Sequence, residues 1–576
     1  MEMVKITIDG QKVEIAKTAT ILDAAQKLGI KIPTLCYHPE LRLEGACRVC
    51  VVEVEGARAL AAACVFPVSD GMVVRTNTEK VRAARKTVVE LLLANHPTDC
   101  LACQRNLNCE LQTMAADLGI RQVRFDGAKR SMPLDASNPS LVRDPEKCIL
   151  CGRCIRACSD RQGVHVYSFN NRGFDTIVAP AFGAGLDEVA CTYCGQCAAV
   201  CPTAAIVEKD DTAAVFAALS DPNKHVVVQT APAVRVGLGE ALGLACGSAV
   251  TGQMVAALKR LGFDKVFDTN FSADLTIMEE GTEFIDRLTN GGTLPMITSC
   301  SPGWVNFIEL KYPELLAHLS TAKSPQQMFG AMVKTYYAEK AGIDPKNIVS
   351  VSIMPCTAKK AEAARPEMGR DGMQDVDYVL TTRELGRMIK EANINFANLP
   401  EAKFDAPMGI GTGAAVIFGA TGGVMEAALR TVAVVVGGKP LDDIEFKQVR
   451  GLEGIKEATV TVKEGVTVKL AVAHTLANAA KVLDKIKAGE ADYHFIEVMA
   501  CPGGCASGGG QPFLACSDDR QKRIDALYQC DRDLPLRSSH DNPEIKELYD
   551  TWLGKPNGEK AHHLLHTHYH AQDSRI

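Results

Sequence analysis

Apolar and polar positions alternate through the first 78 residues, in VKITIDGQKVEI, CVVEVEG and MVVRTNT, around one stretch with helical spacing, TILDAAQKLG. Period-two alternation predicts half-buried strands, so residues 1–78 read as a small mixed sheet carrying one helix. From Thr78 the apolar positions fall three and four apart (EKVRAARKTVVELLLANH), and residues 79–118 read as a small helical unit. A turn-rich stretch, DGAKRSMPLDASNPS, leads to a third unit at 138–209. Beyond it, short β-rich runs (HVVVQTAP, NIVSVSIMP, VDYVLTT, TVKLAVAH, YHFIEVMA) alternate with amphipathic helices (QMVAALKRLG, TTRELGRMIKEA). Residues 210–576 are therefore expected to form α/β layers with parallel strands, with functional residues on loops that follow strand C-termini. Cys356 and Cys501 both sit at such positions.

Length and charge narrow the class. A chain of 576 residues implies about three or four units. The net charge of -6, with dispersed basic residues, shows no nucleic-acid footprint and no polybasic membrane patch. The N-terminus has no apolar leader, and no apolar run approaches the roughly 20 residues needed to cross a bilayer. A soluble cytoplasmic protein is expected.

Cysteine changes the picture. Of 22 cysteines, 15 precede Pro202 and seven follow it. Disulfide frameworks belong to short secreted chains, so this density points to metal sites. Cys36, Cys47, Cys50 and Cys64 suit a [2Fe-2S] cluster, with zinc as the alternative, because soft thiolates select iron–sulfur or zinc over hard cations. Their spacing resembles the ferredoxin-like β-grasp domain of hydrogenases and of respiratory complex I large subunits. HPTDCLACQRNLNC offers only three thiols, Cys100, Cys103 and Cys109, and His96 is the candidate fourth ligand of a [4Fe-4S] cluster. CILCGRCIRAC and CTYCGQCAAVCP repeat the bacterial two-cluster ferredoxin pattern, in which the fourth cysteine of each run serves the other cluster. Cys148, Cys151, Cys154 and Cys201 would hold one [4Fe-4S] cluster; Cys191, Cys194, Cys197 and Cys158 would hold the other. Clusters in series carry electrons between a surface and something buried.

The body carries ITSCSPGW, MPCTAKKAE and EVMACPGGCASGG. These segments resemble the three signature motifs of the [FeFe]-hydrogenases. The resemblance runs along almost the whole chain, through TIMEEGTEFIDR, AKSPQQMFG, FGATGGVMEAALR and QVRGLEGIKEA. It implies a large α/β domain holding an H-cluster, a [4Fe-4S] cubane joined through a thiolate to a two-iron subsite with CO, cyanide and a bridging dithiolate. Cys505 would be the bridge, and Cys356 and Cys501 would hold the cubane, with glycines letting the backbone approach a bulky inorganic group. Lys359 would face a cyanide ligand. Met354, Met499, Ala231 and Pro232 would wall the two-iron site, and Glu283, Ser320 and Glu280 would relay protons, although MEEGTEF alone also reads as a solvated helix face.

One departure stands out. The family places two adjacent cysteines, a proton relay followed by a cubane ligand, where this chain has Cys300 and Ser301. Either Cys300 shifts to become the fourth cubane ligand, the assignment preferred here, or Ser301 ligates and Cys300 keeps the relay. The implied reaction is reversible interconversion of H2 with protons and electrons. TSCSPGW and the histidine-rich AHHLLHTHYH look similar to catalytic subunits of multisubunit NAD(P)-linked, ferredoxin-dependent hydrogenases. No G-x-G-x-x-G follows a strand, so flavin and nicotinamide would bind partner subunits. The histidine-rich end is expected to be a solvated tail or a docking segment. Cys246, Cys516 and Cys530 are read as ordinary cysteines. An electron-relay subunit or a hydrogen sensor is the alternative reading, against which Cys501, Cys505 and Lys359 count.

Overall fold

Asp9 and Gly10 both lie at positive φ, 49° and 84°, in the computed structural model, which describes residues 2–438, 443–463, 465–514 and 518–573. This two-residue turn matches the twist of its flanking strands, and Met3–Ile8 pairs antiparallel with Gln11–Ala16. Val73–Arg75 then joins Met3–Ile8 in parallel. Val51–Val54 and Ala61–Ala62 complete a five-stranded sheet. The helix Ile21–Lys27 starts at Thr20 with a reciprocal capping box to Asp23 and buries Ile21 and Leu22. Cys50 and Cys64 join the same core.

Thr78 caps the next helix, Glu79–Ala94, which docks on the sheet through Arg85, donating to the Val51 carbonyl at 2.8 and 3.2 Å. The third unit shows its repeat in the backbone. Leu150 and Tyr193 share positive φ (54° and 59°), as do Gly152 and Gly195 (69° and 67°), each glycine opening a short helix. The strands Leu141–Arg143 and Ile206–Glu208 close this unit antiparallel.

Two four-stranded sheets form the body. The first runs Lys265–Asp268, His225–Thr230, Ile348–Met354, Tyr378–Thr381, all neighbours parallel. The second runs Met296–Ile297, Phe495–Met499, Val466–His474, Ile455–Lys463, parallel until the final antiparallel pair. The helix Thr269–Asn290 is wedged between two cores. Phe271 and Leu275 pack with Phe267 and Phe329, while Ala273, Ile277 and Phe284 pack with Met296 and Phe495. A helix apolar on both faces must be buried on both, and each phenylalanine withdrawn in this way contributes about 1.5–3 kcal/mol.

The C-terminal part folds back through helices Asp518–Asp533, Pro543–Leu548 and Glu559–Leu565. The histidine-rich end is not a solvated tail: Leu564, Leu565, His566 and Thr567 are buried. Leu565 accepts from the Lys323 amide and Thr567 donates to the Thr321 carbonyl, each at 2.8 Å, so backbone pairing fixes it in place. Cys516 lies outside the described residues. No helix among the described residues is long and apolar enough to cross a membrane.

Candidate active site and its electron path

The C-terminal ends of four parallel strands, two from each sheet, open onto one cavity. Ala231 and Pro232 follow the first strand, Met354 ends the second and leads to Cys356, Cys300 follows the third, and Met499 ends the fourth and leads to Cys501. Strand ends in open α/β sheets leave such a crevice because helices cover the faces and not the edges. Lys359, Ser301 and Cys505 complete the expected lining. Sequence reasoning gave no role to Thr269, Ala273, Gln326 or Phe418, which also line it. Gln326 and Phe418 lie in segments that resembled the family, but only folding shows that they face the cavity.

Cys356, Cys501 and Cys505 line the cavity together, with Cys194 also acting on Cys501. Burial pushes the Cys505 thiol up to about 12 and also raises the Cys501 thiol, while Lys359 acts in the opposite direction on Cys356 and Cys505. Lys359 Nζ donates to Glu362 at 2.9 Å and to the Cys300 carbonyl at 3.2 Å. Cys300 lines the same cavity. After burial, the groups acting on it are Glu280 first, then Lys359, Glu497 and Cys505. Ser301 Oγ instead accepts from the Ala500 amide at 3.3 Å, beside Cys501.

The glycines between Cys501 and Pro512 pack closely against neighbouring backbone, and Gly504 and Gly508 also line the cavity. Gly504 sits at φ +89°, and a Cβ there would lie 2.7 Å from the Thr421 amide. A Cβ on Gly508 would overlap the Pro355 carbonyl. These glycines let the loop press against neighbouring backbone, which turns Cys501 and Cys505 toward the cavity.

Glu280 is fully buried and makes no close hydrogen bond, with Ser320 and the Ser299 amide as the donors facing it. Burial, then the charge of Glu283, pushes it up to about 8. Ser320 lies between the two carboxyls and donates to Glu283 at 2.7 Å. Glu283 also pairs with Arg287 at 2.6 Å and retains slight exposure. Cys300, Glu280, Ser320 and Glu283 thus form a file from the cavity outward.

Toward the front, Cys194 lines the same cavity. Thr357 Oγ1 donates to the Tyr193 carbonyl at 2.8 Å, and Gln196 Nε2 to the Ser507 carbonyl at 3.2 Å, holding the two cysteine loops together. The Leu150 and Tyr193 amides each lie 3.4 Å from the sulfur two residues back, at Cys148 and Cys191, the same arrangement at both repeats. Arg156 Nη2 donates to the carbonyls of Cys36 (2.6 Å) and Cys151 (3.2 Å), tying the N-terminal domain to the first of these loops. The Glu110 amide, next to Cys109, donates to Pro202 at 3.0 Å, so a second branch joins at the same unit.

The donor sets fit iron–sulfur groups. Cys50 and Cys64 sulfurs approach to 3.3 Å, and the Cys47 amide lies 3.5 Å from Cys36 Sγ. His96 is buried with Nδ1 unpartnered, and Lys147 lies within electrostatic reach of both His96 and Cys103. Every described cysteine is a free thiol. Among the described residues, no three His, Cys, Asp or Glu side chains are gathered as one metal ion would gather them. A polynuclear cluster spreads its thiolates wider, because irons and sulfides lie between them.

A branched series of cysteine loops that ends at thiols in an apolar cavity, beside a buried acid, defines an iron–sulfur redox enzyme. The family model for the C-terminal domain of the iron-only hydrogenase large subunit matches residues 224–509, and that for the iron hydrogenase small subunit matches 517–572. A 2Fe-2S cluster binding domain matches 1–79, the NADH-ubiquinone oxidoreductase-G iron–sulfur binding region 85–124, and a 4Fe-4S dicluster domain 147–205. The NADP-reducing hydrogenase subunit HndD of Solidesulfovibrio fructosivorans is 54% identical over 99% of both chains. Iron hydrogenase 1 of Clostridium pasteurianum is 44% identical over 98% of this chain and all of its own. The structure of a single-site variant of apo [FeFe]-hydrogenase HydA1 from Chlamydomonas reinhardtii superposes with a TM-score of 0.57 at 49% identity, covering 63% of this chain and 99% of that one. The chain belongs to the [FeFe]-hydrogenase family. It is the catalytic subunit of an iron hydrogenase and carries accessory iron–sulfur domains.

Proposed function

We propose that the chain interconverts H2 with two protons and two electrons at an H-cluster held by Cys356, Cys501, Cys505 and, at the fourth cubane corner, Ser301. One [2Fe-2S] and three [4Fe-4S] clusters on the front ligand sets would carry the electrons. The observation that carries this reading is the convergence of Cys356, Cys501, Cys505 and Cys300 on one apolar cavity, with the fully buried carboxyl of Glu280 acting on Cys300. When bound, the H-cluster supplies the iron at which H2 is made or split. The protein's own residues do the rest. Lys359 offers a compact cation to an anionic ligand, and Met354, Met499, Ala231 and Pro232 keep water away. Cys300 hands protons to Glu280, whose carboxyl, pushed up to about 8, both takes and gives them near neutrality. Ser320 passes them to Glu283. Assigning Cys300 to the relay reverses the preference drawn from composition alone, and its neighbours Glu280 and Lys359 support the change.

Electrons would leave through the front clusters to ferredoxin or, through flavin-bearing partner subunits, to NAD(P). The support is the relative named as a subunit of an NADP-reducing hydrogenase, together with the lack of a nucleotide-binding motif in this chain. A reducing compartment such as the cytoplasm would keep the cluster thiols free. The test is an anaerobic infrared spectrum of protein matured with hydrogenase assembly factors. CO and cyanide bands with viologen-linked H2 turnover are expected. Their absence, with front clusters present by electron paramagnetic resonance, would reduce the chain to an electron relay.

A further inference from the structure

Glu279, the neighbour of Glu280 on the same helix, points into the C-terminal segment and is fully satisfied there. It accepts from the Tyr549 hydroxyl, from the Asn557 amide at 2.7 Å, and bonds His566 Nε2 at 3.1 Å. The other ring nitrogen of His566 meets Thr321 Oγ1 at 2.8 Å, and the Thr321 amide donates to both Glu283 oxygens, at 3.1 and 3.2 Å. His566 is therefore a buried ring fixed at both nitrogens beside the outer end of the acid file. Exposed His562 stacks on it, centroids 4.6 Å apart and planes within 4°, and exposed His568 lies 6.5 Å from His562.

We propose that His562 and His568, seated on the fixed His566 ring, are a proton-collecting patch for the Glu283–Ser320–Glu280 series. An exposed neutral imidazole takes a proton from buffer, gives it as imidazolium through water to the Glu283 carboxylate, and is left neutral again. In H2 oxidation the same transfer runs outward. Imidazole suits this because its ordinary range straddles neutrality, where free protons are scarce. Burial holds His562 below its ordinary range, and the neighbouring His566 and His568 act on it in the same direction; Glu283 and Glu279 act in the opposite one. Arg287 faces the patch only through its pair with Glu283, and Lys560 is turned away over the Trp552 ring. The inference rests on the relay reading above, and His566 serves it as a positioning residue.

The test uses matured holoenzyme evolving H2 from reduced viologen in weak buffer, from about pH 6 to 9. The double variant His562→Gln/His568→Gln, altered only at exposed positions, should slow about tenfold on the alkaline side and little on the acid side. Its KM for viologen and its CO and cyanide bands should be unchanged, and added imidazole should restore the rate. An unchanged pH profile, or a loss that imidazole does not restore, overturns the patch. Glu283→Gln is run beside it and should be slow at every pH with no rescue. If Glu283→Gln turns over at the native rate, the relay reading falls and takes the patch with it. If Glu283→Gln is slow and the histidine variant is not, only the patch falls.

Discussion

The front of the chain and its body hold cysteines in opposite ways. In the two-cluster unit, Cys148, Cys151 and Cys154 come from seven consecutive residues, and backbone turns at Leu150 and Gly152 aim them. In the body, Cys356 and Cys501 are 145 positions apart and meet only because strands from two sheets end at the same place. Each run thus places three sulfurs locally, and only a fourth would come from the other run. The body's site instead depends on every layer beneath it, so remote damage should reach it. The same contrast separates neighbours on one helix. Glu279 is bonded on all sides and clamps the C-terminal segment, while Glu280 is buried without a close hydrogen bond.

The sharpest break in this comparison is Cys505→Ala. Turnover and the CO and cyanide bands should vanish, while the front clusters keep their paramagnetic signals; a front that collapsed with the body would remove the distinction. Glu280→Gln comes next, with a rate loss of about 10²–10⁴-fold and clusters intact. Its stability effect has a definite sign. The folded Glu280 pKa of about 8 lies above its ordinary 4.5, so the folded state holds a proton that the unfolded state releases, and stability falls as pH rises between the two values. At about pH 7 that penalty is roughly 3 kcal/mol at 1.36 kcal/mol per pH unit, and denaturant titration of Glu280→Gln should recover it and lose the slope.

Gly508→Ala should cost about 1–3 kcal/mol by forcing the loop off the Pro355 carbonyl. It should also lower occupancy of the two-iron site, read from infrared band intensity, although no ligand is changed. Its counterpart at the front is Thr20→Ala, which removes the capping box and should cost about 1 kcal/mol. That loss should be confined to melting of the N-terminal domain, with H2 turnover from viologen unaltered.

Much of the fold was legible in advance. VKITIDGQKVEI became a hairpin on its Asp-Gly turn, and each of the five β-rich runs of the body became a strand. Less was legible at the site. EVMACPGGCASGG marked the two thiols and the glycine-lined approach to the cavity, but not that Gly504 and Gly508 also pack against Thr421 and Pro355. The histidine-rich end suggested a solvated tail or a docking segment because five histidines in ten residues look polar; Leu564, Leu565 and Ala561, spaced along a helix, dock one face of it and leave His562, His563 and His568 exposed.

What the sequence determined by itself was whatever depends on near neighbours: strand alternation, helix caps, and cysteine spacings that place several sulfurs within one turn of chain. Tertiary structure alone decided that Cys300 faces Glu280 while Ser301 faces the Cys501 loop, and that Glu279 and Glu280 have different surroundings. Adjacent residues on a strand end or a helix point in different directions, so their environments are set by elements hundreds of positions away. The charge a buried group can carry follows from those surroundings, and no local pattern encodes them.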